Sequence, residues 1–164
     1  MPVNDITIRT ATTADCATIL HHRRRMFEDM QEGTAEDLDR MVAATGPWLE
    51  RALLDGAYRG WLAVDSTHNV AAGGGILISS WPAGPRDART QRAVILNVYA
   101  EPEFRRKGLA RQLMLLMIQW LKDQGFSSVA LHASEAGRHL YETLGFQQNN
   151  EMRLNLGEPT KTVL

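Results

Sequence analysis

The 164-residue chain predicts an α/β fold in which a mixed sheet is covered by helices on both faces. Runs with the two-residue period of strands interleave with runs of helical period along the whole sequence. One of them, "RAVILNVYA" (Arg92 to Ala100), is almost continuously apolar, as a central strand buried on both faces must be. A broad helical stripe follows: Leu109, Leu113, Met117 and Leu121, flanked by Ala110, Met114 and Ile118.

The elements follow in order. Ile6 and Ile8 alternate with Thr7 and Arg9, a strand signal. Thr12 or Thr13 can cap a helix with Asp15 in its first turn, running to about Met30, and Gly33 punctuates it. Thr34 caps a second helix and Asp37 completes its box. Gly46-Pro47 predicts an interruption there, with "WLERALLDG" a separate turn or two ending at Gly56. "YRGWLAVDS" and "NVAAGGGILISSW" read as strands joined by a hairpin at Ser66 to Asn69, and "WPAGPRDARTQ" as an irregular loop. After the central strand and long helix come a strand in "SSVALHAS", a short helix in "EAGRHLYETLG" closed by Gly145, and a last strand in "NNEMRLNL". With no repeat or long linker, residues 1–164 read as one domain.

Composition narrows the function classes. The chain is 44% hydrophobic and 23% charged, with a formal net charge of -1, so no global field favours nucleic acid or a membrane surface. Cys16 is the single cysteine, which excludes an internal disulfide and suits a reducing cytoplasm. The start lacks the basic and apolar regions of a signal peptide. The apolar stretch from Leu113 to Ile118 is far shorter than the roughly 20 residues that span a bilayer. The expectation is a soluble, cytoplasmic protein. His21-His22 lacks a matching ligand set, so no metal is expected.

The stretch "RRKGLA", Arg105 to Ala110, puts three cations where a helix begins. Cations oppose the positive end of a helix dipole. An anion bound on the free N–H groups of the first turn would explain them. Gly108, lacking a side chain, lets backbone approach a phosphate, and Ala110 is nearly as small. A solvated basic corner with a packing glycine is the plain alternative. Neither a Walker loop nor a G-x-G-x-x-G fingerprint is present.

These residues resemble the pyrophosphate loop of the GNAT superfamily of acetyl-coenzyme A-dependent N-acetyltransferases: Arg or Gln, two residues, Gly, one residue, Gly or Ala. Arg105, Gly108 and Ala110 fill it completely. "ILNVYAEPEF" is similar to the family's splayed central strand, and "AGRHLYETLGF" to its late motif. The resemblance implies a mixed, mostly antiparallel sheet with a splayed strand pair and acetyl-coenzyme A as cosubstrate. Backbone N–H groups from Arg106 through Lys107, Gly108, Leu109 and Ala110 to Arg111 would hold the pyrophosphate, with Arg105 and its neighbours as cover. Val98 and Leu96 would pair with the pantetheine arm like an added strand. Tyr141 falls where the family places the general acid that reprotonates the departing thiolate; a core tyrosine is the alternative. Ser134 stands where many relatives carry an asparagine that contacts pantetheine, and is shorter.

A base must also deprotonate the amine, and the central strand carries no acid from Ala93 to Tyr99. His132, Glu28, Glu101 and Glu151 remain open. From Glu28 to Asp55 eight acids stand against two arginines, a wall that could attract a cationic acceptor or merely be a solvated face. "HHRRR", His21 to Arg25, could be solvated or meet an acidic group on the acceptor. The resemblance thus implies transfer of an acetyl group to a small-molecule or peptide amine by direct attack in a ternary complex, in a protein that could pair as a homodimer. A non-catalytic coenzyme A or nucleotide sensor is the rival.

Overall fold

The structure, a computed structural model, describes residues 5–157. It divides into two compact units, Met1–His132 and Ala133–Leu164.

The first unit holds a five-stranded sheet in the order β1 (Thr7–Thr10), β2 (Tyr58–Val64), β3 (Val70–Ser80), β4 (Gln91–Ala100), β5 (Ala130–Leu131). Neighbours are antiparallel except β4 and β5, which run parallel. Helices α1 (Cys16–Asp29) and α2 (Ala35–Asp55) precede β2, and α3 (Leu109–Asp123) lies between β4 and β5. The glycines of β3 show which face each helix covers. A Cβ on Gly73 would meet His22 of α1, and one on the adjacent Gly74 would meet Met117 of α3. Successive strand residues point to opposite faces, so α1 and α3 cover opposite sides. α2 joins α1, with Leu49 and Ala52 packed against Ile19, Tyr58 and Leu62. On the other face α3 buries Leu109, Leu113, Met114, Met117 and Leu121, the expected stripe. The mixed, mostly antiparallel sheet with helices on both faces is the fold the sequence predicts.

Local signals place the helix starts well. Thr34 N–H donates to Asp37 at 2.8 Å and Asp37 N–H returns to Thr34 Oγ1 at 3.2 Å. Gly56, at φ 81°, ends α2 in the left-handed conformation that favours glycine.

The structure overturns two expectations. α2 runs unbroken through Pro47. Proline deprives one carbonyl of its donor, but Leu38, Leu49 and Ala52 are buried on both sides of it, and that packing outweighs the local penalty. In the second unit α4 (Glu135–Thr143) is the only helix or strand among the described residues, and "NNEMRLNL" forms no strand. Its alternating Met152, Leu154 and Leu156 are exposed. A period-two pattern gives a segment the capacity to pair, not a partner.

Candidate functional site

The site is built on an irregularity in β4. Gly75 pairs with Leu96 and Gly73 with Tyr99, so Asn97 and Val98 together oppose Gly74. This is a β-bulge, and Asn97 sits in it at φ 58°. The extra residue breaks the alternation of the strand. Leu96 packs with the α1–α2 cluster, whereas Val98 lies beside Met117 of α3. Asn97 itself is buried and held at both ends: its Oδ1 accepts from Arg23 Nη1 at 2.9 Å, and its Nδ2 donates to Tyr58 Oη at 3.2 Å. Burial pushes the Tyr58 phenol up to about 12, so it stays neutral.

Beyond the bulge the sheet opens. β5 pairs with β4 only at Val94–Ala130 and Ile95–Leu131. From Leu96 to Ala100 the β5-side edge of β4 has no ladder partner among the described residues. This is the splayed pair.

That open edge leads through a 3₁₀ turn, Pro102–Phe104, into the basic segment. Helix α3 begins only at Leu109, so Arg105, Arg106 and Lys107 stand in the turn ahead of it, not in its first turn as expected. Arg106 at φ 59° and Gly108 at φ 79° are both left-handed and fold the chain into a tight loop. Gln112 N–H bonds Gly108 O at 3.0 Å. The amides of Leu109 and Ala110 precede that first helical bond and have no intrahelical acceptor. A Cβ built on Gly108 meets nothing within 4 Å. The loop is therefore an open cradle of N–H groups at a helix N-terminus. Its cations differ in freedom. Arg105 turns back onto α1, reaching Asp29 at 2.5 Å, Ala100 O at 3.0 Å and the Tyr99 ring at 5.4 Å. Lys107 Nζ lies 5.1 Å from the Phe104 ring, and Arg106 is exposed.

A polar row runs between α1 and the end of β4. His21 Nε2 is 2.9 Å from Glu101, and His22, fully buried, has Nε2 3.6 Å from the same oxygen. Burial, aided by His21, pushes His22 down to about 4. Native His22 is therefore neutral. As pH falls from about 6.5 toward 4, the unfolded chain takes up a proton that the native one refuses, and stability should fall across that window. Asp15 acts in the same direction in a lower window. Two hydrogen bonds from Arg9, at 2.9 and 2.8 Å, hold its carboxyl below the usual range, so its contribution persists to pH values under 3.8. Unfolding free energies from pH 7 to 3 check this: His22→Gln is expected to flatten the slope between 6.5 and 4 only. An unchanged slope there would refute the assignment.

Acids of the early helices pair with arginines, mostly at the surface. Glu28 pairs with Arg24 and Arg25, Asp39 with Arg24, and Glu36 and Asp37 with Arg40. Most of the proposed acidic wall is thus locally neutralised. Of the base candidates in the first unit, Glu28 and Glu101 are engaged as described and His132 is exposed. A shallow cleft lined by Thr7, Arg9, Val64, Asp65 and His68 lies at the β1 edge and contains none of these residues.

The second unit carries the other expected residues on α4. Ser134 is the N-cap, its Oγ accepting from Gly137 N–H at 3.2 Å. Tyr141 is half-buried, edge-on to Phe146 at 6.1 Å, and burial raises its phenol pKa. The ring lies back on Gly137, where a Cβ would come within 2.8 Å of Tyr141 Cε2. Glu151, the remaining base candidate, is exposed in this unit. Sequence reasoning missed the Arg23–Asn97–Tyr58 clamp. Its one signal was an asparagine inside "VILNVYA", facing three consecutive glycines.

A bulged strand that parts from its neighbour and feeds a glycine-capped helix defines an acyl-carrier transferase fold. A sequence model of the Acetyltransferase (GNAT) family matches residues 18–146, and the chain belongs to that family. Among solved structures it is similar to a GCN5-related N-acetyltransferase from Ralstonia eutropha JMP134, with 29% identity, a TM-score of 0.85, and coverage of 92% of this chain and 98% of that one. A predicted acetyltransferase with acetyl-CoA from Clostridium acetobutylicum shares 24% identity at a TM-score of 0.83, covering 92% and 96% of the two chains, and shows the fold. Human N-acetyltransferase 8 is 26% identical over 78 residues, 46% of this chain and 34% of that protein. The chain thus matches about a third of the length of this curated relative.

Proposed function

We propose that this protein is an acetyl-coenzyme A-dependent N-acetyltransferase that moves an acetyl group to a primary amine by direct attack in a ternary complex. The observation that carries the reading is the continuity of an unpaired strand edge, Leu96 to Ala100, with an open amide cradle at Gly108. Family membership and the acetyl-CoA named for the Clostridium neighbour support the choice of carrier. The residues present fit a diphosphate. Its charge would rest on the amides from Arg106 to Ala110, with Arg106 and Lys107 over it and Arg105 bracing the loop against α1. Backbone groups of Leu96 and Val98 would hold the extended arm, and one of these N–H groups would stabilise the oxyanion that develops as the amine attacks. Ser134 Oγ accepts from Gly137 N–H as the helix cap, which leaves its hydroxyl hydrogen available as a donor. Holding amine and thioester together would supply much of the rate.

The test is calorimetric titration with acetyl-coenzyme A. Saturable binding is expected, weakened about tenfold by Arg106→Glu with Lys107→Glu, since two exposed charge-assisted contacts are lost and reversed. Absence of binding, or unchanged affinity in the double variant, would sink the reading.

A further inference from the structure

The segment His21 to Arg25 holds three arginines that the same helix treats differently. Arg24 is paired with Glu28 and Asp39, at 2.9 and 2.5 Å, and Arg25 with Glu28 at 2.8 Å. Arg23 has no carboxylate within ion-pair distance among the described residues. It is half-buried, its guanidinium sits 5.1 Å from the Phe27 ring, and one N–H reaches Asn97 Oδ1 at 2.9 Å. Its Nε is sealed from water with no acceptor. A guanidinium has five donors, and a desolvated cation without a counter-charge is destabilising. An anion arriving at the guanidinium would supply the missing counter-charge.

Its position says which anion. Arg23 is fixed against the bulge residue within β4, whereas the cradle that would take the phosphates lies beyond the end of that strand, at the start of α3. In the proposed reading the arm runs back from the cradle along the open edge of β4, held by Val98 and Leu96, so its thioester end would lie beside the bulge. An anion at Arg23 would then belong to the acceptor. The fork of a guanidinium matches the two coplanar oxygens of a carboxylate.

Resting on the transferase reading, we infer that the acceptor is an amino-acid-type compound, a primary amine bearing a carboxylate a few bonds away, and that Arg23, braced by Asn97, holds the carboxylate. The segment His21 to Arg25 is thus divided: the two histidines, Arg24 and Arg25 have carboxylate neighbours within the protein, and Arg23 serves specificity.

Thiol release measured at saturating acetyl-coenzyme A tests this with matched sets: free amino acids, their α-carboxamides, and the decarboxylated amines. Calorimetry of the amino acids on coenzyme A-loaded protein runs in parallel. The carboxylate member should exceed its amide in kcat/KM by about tenfold or more, the size expected of a hydrogen-bonded charge pair. Arg23→Gln should bring that ratio to near one. Arg23→Lys, which keeps the charge and loses the fork, should give an intermediate ratio and serves if the glutamine variant does not fold. A merely structural Arg23 would lower all three members alike and leave the ratio unmoved, which overturns the inference. So does a ratio near one in the unaltered protein. If acetyl-coenzyme A binds and no carboxylate-bearing amine binds or reacts, this inference alone falls. If acetyl-coenzyme A does not bind, the transferase reading falls and takes this one with it.

Discussion

Replacing Gly75 by alanine is expected to destabilise the protein by about 3 kcal/mol, an unusually large cost for one methyl group. The Cβ would stand 2.1 Å from Tyr58 Oη and 2.2 Å from Cζ, both in a fully buried ring that cannot swing away. Tyr58 lies across Gly75 so that its hydroxyl can reach Asn97 on β4. The methyl must therefore displace the ring, break the clamp, or bend β3. For a chain of this length the melting temperature should drop by about 6 to 12 °C. A drop under 2 °C would show that the ring is not wedged there. Tyr58→Leu removes the obstacle, so in that background the same alanine should cost much less. This coupling distinguishes a collision from a general intolerance of side chains in β3.

The same contact explains why parts of the fold were legible in the sequence and parts were not. The box of Thr34 and Asp37, the stripe of α3 and the apolar run of β4 depend on residues close in sequence, and each was readable. The run through Pro47 and the missing strand at "NNEMRLNL" depend on what the chain packs against, which local pattern does not contain. The bulge belongs to this second class. "ILNVYA" announces a buried strand, but that Asn97 takes a left-handed conformation follows from Arg23, 74 residues earlier, and Tyr58, 39 residues earlier. The three consecutive glycines of β3 are the space in which Tyr58, His22 and Met117 approach the sheet. The open turn ahead of α3 was legible because Gly108 and its neighbours form a local motif. The distinct setting of Arg23 was not, because it looks like its two paired neighbours until their carboxylates are placed.

Tyr141→Phe should lower kcat by about 100-fold or more while leaving acetyl-coenzyme A affinity within about twofold. The variant removes one oxygen from a half-buried ring, so packing on Gly137 and Phe146 is retained and the proposed proton donation is what the comparison isolates. Burial keeps the phenol protonated above its ordinary pKa near 10, the state that an acid needs when a thiolate of pKa about 8.5 departs. The pH profile supplies a second readout. With Tyr141 as the acid, its raised pKa places any basic fall in kcat above pH 10, and this limb should vanish in the phenylalanine variant. Unchanged kcat on every acceptor would remove Tyr141 from the chemistry and leave it a packing residue. Binding of acetyl-coenzyme A with no acceptor ever consumed would instead favour a sensor, because the proposed cradle and splayed edge would hold a ligand without any proton transfer. Only proton transfer separates an enzyme from a receptor built on the same strand and helix.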